Sequence, residues 1–119
     1  MDKLQLKKPY DLEERTLQYT KDAITFVNKI PKSLSNIEIA KQLIRSAGSV
    51  GANYIEANES LGKKDFVMHA RIARKEAKES RYWLQLIEYN DYLLPLRDQL
   101  IQESTELLKI LSKIIEKLT

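Results

Sequence analysis

Apolar and small residues recur along this chain at alternating steps of three and four, in four stretches separated by short breaks. The first seam is Leu12, Thr16, Tyr19, Ala23, Phe26 and Ile30, flanked by Leu17, Ile24 and Val27. The second is Ala40, Leu43, Ala47, Val50, Tyr54 and Ala57, and the third is Phe66, Ala70, Ala73, Ala77, Ser80, Leu84 and Ile87. The fourth is Leu100, Ser104, Leu107, Leu111, Ile114 and Leu118. Such spacing lines up each set along one face of an α-helix. Helices are therefore predicted over about residues 11–30, 36–59, 63–90 and 95–118. Residues 1–10 read as an extended basic lead-in, with Leu4 and Leu6 alternating and Pro9 blocking an earlier helix.

The boundaries carry their own chemistry. Asp11 is suited to cap the first helix, with Glu13 and Glu14 in the first turn, where the helix dipole favours acids. Pro31 stops that helix, and Ser35 or Asn36 is expected to cap the second. Residues 59–62 (ESLG) form the next break, and Pro95 lies at the start of the last helix. Within the second helix, residues 46–52 (SAGSVGA) are small on every side. A glycine costs roughly 1 kcal/mol against alanine inside a helix, so Gly48 and Gly51 call for close helix approach. Four helices with three short connections and no internal repeat predict one all-α domain over residues 1–119, an up-down-up-down four-helix bundle.

The third helix has three distinct faces. At about 100° per residue, Lys64, Arg71, Arg74, Lys78 and Arg81 make a basic stripe centred roughly 110° from its seam. His69, Ile72, Glu76, Glu79, Trp83 and Leu86 occupy the opposite flank. The like-charged pairs Arg71/Lys75 and Arg74/Lys78 are mildly unfavourable unless something acidic compensates. One resolution is an internal salt-bridge lattice drawing on Glu13, Glu14, Asp22, Asp98, Glu103 and Glu106; the other is an external polyanion. Tyr82, Trp83 and Tyr92 are candidates for stacking on bases, although aromatics at helical spacing more often serve cores and interfaces.

A second polar set, Arg45, Ser49, Asn53 and Glu56 on the second helix with Glu76 and Glu79 on the third, meets if the two helices are antiparallel neighbours. It reads chiefly as a structural polar network fixing helix register or a subunit contact. A small-ligand site is the other reading.

Composition narrows the chemistry. At 119 residues, 43% hydrophobic and 31% charged, the chain has the makings of a folded helical domain. Its longest uncharged run covers only residues 46–55, so no membrane span is expected, and no apolar segment near residue 1 suggests a signal peptide. The absence of cysteine rules out disulfides and thiolate chemistry and is compatible with a cytoplasmic location. A di-iron bundle needs paired Glu-x-x-His motifs, and the single histidine, His69, has no glutamate three residues earlier. That same histidine would have to serve any Ser-His-Asp set, and no glycine-rich strand-turn-helix exists to cradle a phosphate. No enzyme, metal or cofactor is expected. The net charge of +3 is small, so only the distribution of charge argues for nucleic acid.

Three runs in order carry a resemblance: residues 45–57 (RSAGSVGANYIEA), Asp65-Phe66, and residues 72–84 (IARKEAKESRYWL), preceded by Ile30-Pro31-Lys32. They resemble the 23S rRNA intervening-sequence protein family, also called the four-helix-bundle protein family. The resemblance implies a bundle that assembles as a homopentameric ring, in a family named for its coding sequences inside large ribosomal RNA genes. The accessory variability determinant of diversity-generating retroelements is similar in fold; it is a basic pentamer that binds nucleic acid and a reverse transcriptase. The resemblance brings no catalytic residues.

The function expected is a non-enzymatic oligomeric scaffold that binds nucleic acid, structured RNA above all, through Arg71, Arg74, Lys78 and Arg81, with Lys3, Lys7 and Lys8 assisting. The rival is a protein-interaction adaptor, with a polypeptide such as a reverse transcriptase as partner, whose basic stripe is consumed by subunit or partner carboxylates.

Overall fold

The computed structural model describes residues 11–119; the lead-in over residues 1–10, with Lys3, Lys7 and Lys8, lies outside them. The described residues form four long helices: α1 (Leu12–Val27), α2 (Leu34–Asn58), α3 (Lys63–Leu86) and α4 (Leu94–Leu118), with a 3₁₀ turn at Asp91–Leu93 leading into α4. Helix α1 packs on α2 and α4, and α3 on α2 and α4. The cross-helix contacts run in opposite senses along successive helices. Arg45 meets Glu76 and Asn53 meets His69, while Arg74 meets Ser112 and Arg81 meets Thr105. That alternation is an up-and-down bundle.

The seams meet in the middle. Leu12, Tyr19, Ala23 and Phe26 of α1 pack with Leu43, Ala47 and Val50 of α2, Ala73, Ala77 and Leu84 of α3, and Leu100, Leu107 and Leu111 of α4. Val67, Ala70 and Ile115 make a smaller cluster where α3 begins and α4 ends. Each buried hydroxyl has a partner, as burial requires. Tyr19 Oη and Ser80 Oγ lie 2.7 Å apart, and Thr16 donates to Leu12 O at 2.6 Å.

Gly51 marks the closest approach of α1: a Cβ there would lie 2.9 Å from Thr16 Oγ1. Gly48 does not share that role, since its added Cβ would meet only Thr20 Cγ2 at an ordinary 4.0 Å.

Three boundaries differ from the sequence expectation. Helix α1 ends at Val27 rather than near residue 30, as the proline at 31 disfavours helical geometry in the residue before it; Ile30 drops into the core instead. Ser33, not Ser35 or Asn36, caps α2, accepting from Asn36 N at 3.1 Å. Helix α3 stops at Leu86 instead of residue 90, with Ile87 extended and buried. Asn36 explains that stop. Its Nδ2 donates to Pro31 O and Glu88 O, both at 2.9 Å, and its Oδ1 accepts from Glu88 N at 2.9 Å. One buried side chain thus replaces the helical hydrogen bonds Glu88 forgoes and ties the α1–α2 link to the end of α3. Asp11 caps α1 as expected, accepting from Glu14 N at 3.3 Å.

Candidate nucleic-acid interface

The basic stripe of α3 faces the groove it shares with α4. Arg74 reaches across to Ser112 Oγ at 3.5 Å, and Arg81 Nη1 donates to Thr105 Oγ1 at 3.1 Å. The channel holds Arg71, Arg74 and Glu116 at one end and Arg81, Thr105 and Lys109 at the other. Ser112 and Lys113 line both halves and make the channel continuous. Lys78 stands exposed on the same side of α3 but lines neither half.

The carboxylates expected to neutralise the stripe are engaged elsewhere. Glu103 takes a bidentate pair from Arg15, at 2.7 Å and 3.0 Å. Glu13 accepts from Asn58 at 2.8 Å, Asp22 from Gln18 at 2.9 Å and Glu106 from Gln102 at 2.9 Å. Asp98 lies 3.4 Å from Arg97. Among the described residues, Arg71, Arg74, Lys78 and Arg81 form no ion pair. The internal salt-bridge lattice is therefore not how these side chains are arranged.

The second polar set divides in two. Arg45 bridges Glu76, at 3.3 Å, and Glu79, whose carboxylate also accepts from Trp83 Nε1 at 3.0 Å. The Trp83 bond is the main influence holding the Glu79 carboxyl below its ordinary range; partial desolvation opposes it and Arg45 adds to it. The same Glu79 contact raises the Arg45 guanidinium. Further along, Asn53 donates to Ser49 O at 3.0 Å and Ser49 Oγ at 2.9 Å and meets His69 Nδ1 at 3.4 Å. Glu56 belongs to neither half: its side chain is exposed, and its backbone carbonyl accepts from Glu59 N and Ser60 Oγ. No group of three or more histidines or acids among the described residues could hold a metal ion. No helix among them is long and apolar enough to cross a membrane.

Comparison with known proteins identifies the lineage. The profile of the family described as 23S rRNA-intervening sequence protein matches residues 10–113. The chain belongs to that family. A solved structure from Bacteroides thetaiotaomicron, described as a protein of unknown function from the S23 ribosomal protein family, is 30% identical with a TM-score of 0.74. The match covers 87% of this chain and 97% of that one. No curated protein matches the chain.

Two parts of the surface were not legible in the sequence. Lys109 and Lys113 complete the channel from α4; their spacing of four was visible, but their pairing with Arg74 and Arg81 depends on the register of α3 against α4. The other part is apolar. Leu17 and Ile24 on α1 and Ile37, Ile44 and Ile55 on α2 are exposed. Thr20 lies between the first pair, close to Gly48, which lies between Ile44 and Ile55, so these side chains share the outer face of the α1–α2 hairpin. By contrast, the apolar side chains beside the seam of α4 are mostly covered: Ile101, Leu108 and Ile110 are partly buried and Ile115 is buried.

Proposed function

We propose that this family member is a non-enzymatic scaffold that assembles as a homopentameric ring and holds nucleic acid, structured RNA above all, on the α3–α4 channel. The observation that carries the reading is the state of the stripe. Arg74 and Arg81 rest on neutral hydroxyls, Glu13, Asp22, Asp98, Glu103 and Glu106 are bound to other partners, and α4 supplies two more lysines, which outnumber the one channel carboxylate, Glu116. Cations kept off carboxylates are free to meet phosphates, and phosphate contacts dominate the affinity of most nucleic-acid binders. Assembly is supported by the exposed aliphatic face of α1 and α2, since contiguous apolar patches on soluble domains commonly mark interaction sites. The number five rests on the family resemblance. In a ring, a weak contact per subunit is multiplied by avidity.

The test is an anisotropy titration of the purified protein with unrelated RNA and DNA at two salt concentrations. If Arg71, Arg74, Lys78, Arg81, Lys109 and Lys113 all engage phosphates, log affinity should fall against log salt with a slope of about −5 per bound chain. Absence of binding even at low salt favours the adaptor reading, in which the α1–α2 face takes another polypeptide and the channel holds none.

A further inference from the structure

We infer that the α3–α4 channel selects duplex over single-stranded nucleic acid, gripping the phosphates of one backbone strand and leaving the bases unread. The inference rests on the nucleic-acid reading above and concerns which form the channel accepts.

Three observations carry it. First, Arg71 to Arg81 spans ten residues of one helix, a rise of about 15 Å. With Lys113 and Lys109 on the facing helix, the cations form a row rather than a cluster, a shape that follows several successive phosphates of one strand. Second, among the described residues no lining residue of the channel is aromatic. Single-strand binders hold unpaired bases on aromatic platforms, each stacked base contributing on the order of 1–3 kcal/mol. The aromatics of α3 are elsewhere: Tyr82 and Trp83 pack edge to face with ring centroids 5.1 Å apart, and Trp83 is committed to Glu79. Third, among the described residues the channel has no asparagine or glutamine, and its two central hydroxyls, Ser112 and Thr105, already accept from Arg74 and Arg81. Base edges and ribose hydroxyls thus find, among the described residues, a single unoccupied acceptor side chain, Glu116 at one end, and no amide to read them. A duplex presents dense, regularly spaced phosphates with its bases turned inward, and it suits such a surface. A flexible single strand has lower charge density and would have to be ordered without stacking to compensate.

The experiment compares the assembled protein's affinity for a 20-base-pair RNA duplex of mixed sequence with that for an unstructured oligo-uridine carrying the same number of phosphates, at one salt concentration. Tyr82→Ala is measured alongside. The expected result is duplex binding at least about tenfold tighter, unaffected by scrambling the duplex sequence and unchanged in Tyr82→Ala. Equal or tighter binding of oligo-uridine, or its loss in Tyr82→Ala, would overturn the inference while leaving nucleic-acid binding intact. Failure to bind either probe would overturn both.

Discussion

A methyl group at position 51 would stand 2.9 Å from Thr16 Oγ1 and 3.2 Å from Thr16 Cβ, against a fully buried threonine. Alanine gains about 1 kcal/mol over glycine in a helix interior. At position 51, overpacking of about 1–3 kcal/mol outweighs that gain, whereas position 48 keeps it. Gly51→Ala should lower the urea midpoint and Gly48→Ala should raise it; the reverse order would remove the close-approach account of α1 on α2. Tyr19 supplies a second test at this scale. Burial is the main cause that pushes its phenol from 10.0 to about 12, partly offset by the hydroxyls of Ser80 and Ser104. The folded state therefore retains that proton when the unfolded state loses it. The corresponding stability is fully present below pH 10 and is lost as pH rises towards 12. Ultraviolet titration should show Tyr19 ionising only as the helical signal falls, and Tyr19→Phe should flatten the stability loss in that window. Tyr19 ionising near pH 10 in the folded protein would contradict this.

Among the elements, the ends of the helices depend on contacts that local sequence does not reveal. The first and third seams were legible because period and burial coincide: all six positions of the first, from Leu12 to Ile30, are buried, and so are Ala70, Ala73, Ala77, Ser80, Leu84 and Ile87 of the third. The end of α3 was not legible, since its stop signal, Asn36, lies in another helix and reads locally as a cap. Asn36→Ala should strand the backbone N–H and C=O of Glu88 and cost about 1–3 kcal/mol. Hydrogen exchange at the Glu88 amide should accelerate well beyond that of its neighbours in α3. If exchange there is unchanged, Asn36 is not the clamp. The candidate site was legible to the same depth. Arg71, Arg74, Lys78 and Arg81 follow from helical period alone, but their freedom from carboxylates depends on Arg15 taking Glu103 across the bundle. Arg45, Glu76 and Glu79 of the polar set on α2 and α3 meet, whereas Glu56, on nearly the same side of α2 as Arg45 but about three turns further along, does not reach them.

Across the whole molecule, surface is divided between two kinds of face. The α1–α2 side exposes aliphatics and the α3–α4 side exposes cations, so assembly and nucleic-acid binding need not compete for the same residues. Ile44→Glu should accordingly reduce the oligomer mass by light scattering while leaving helical content intact; a full-sized assembly would move the subunit contact to another face. The basic side is tested by replacing Arg74, Lys78 and Arg81 together with Glu. Because Arg74 and Arg81 contact only hydroxyls on α4, the change breaks no ion pair among the described residues. Anisotropy with duplex RNA at low salt, read beside circular dichroism and mass, is the most direct measurement. The account predicts binding abolished with helical signal and oligomer mass unchanged; a folded, assembled triple variant that binds RNA like the parent would contradict it.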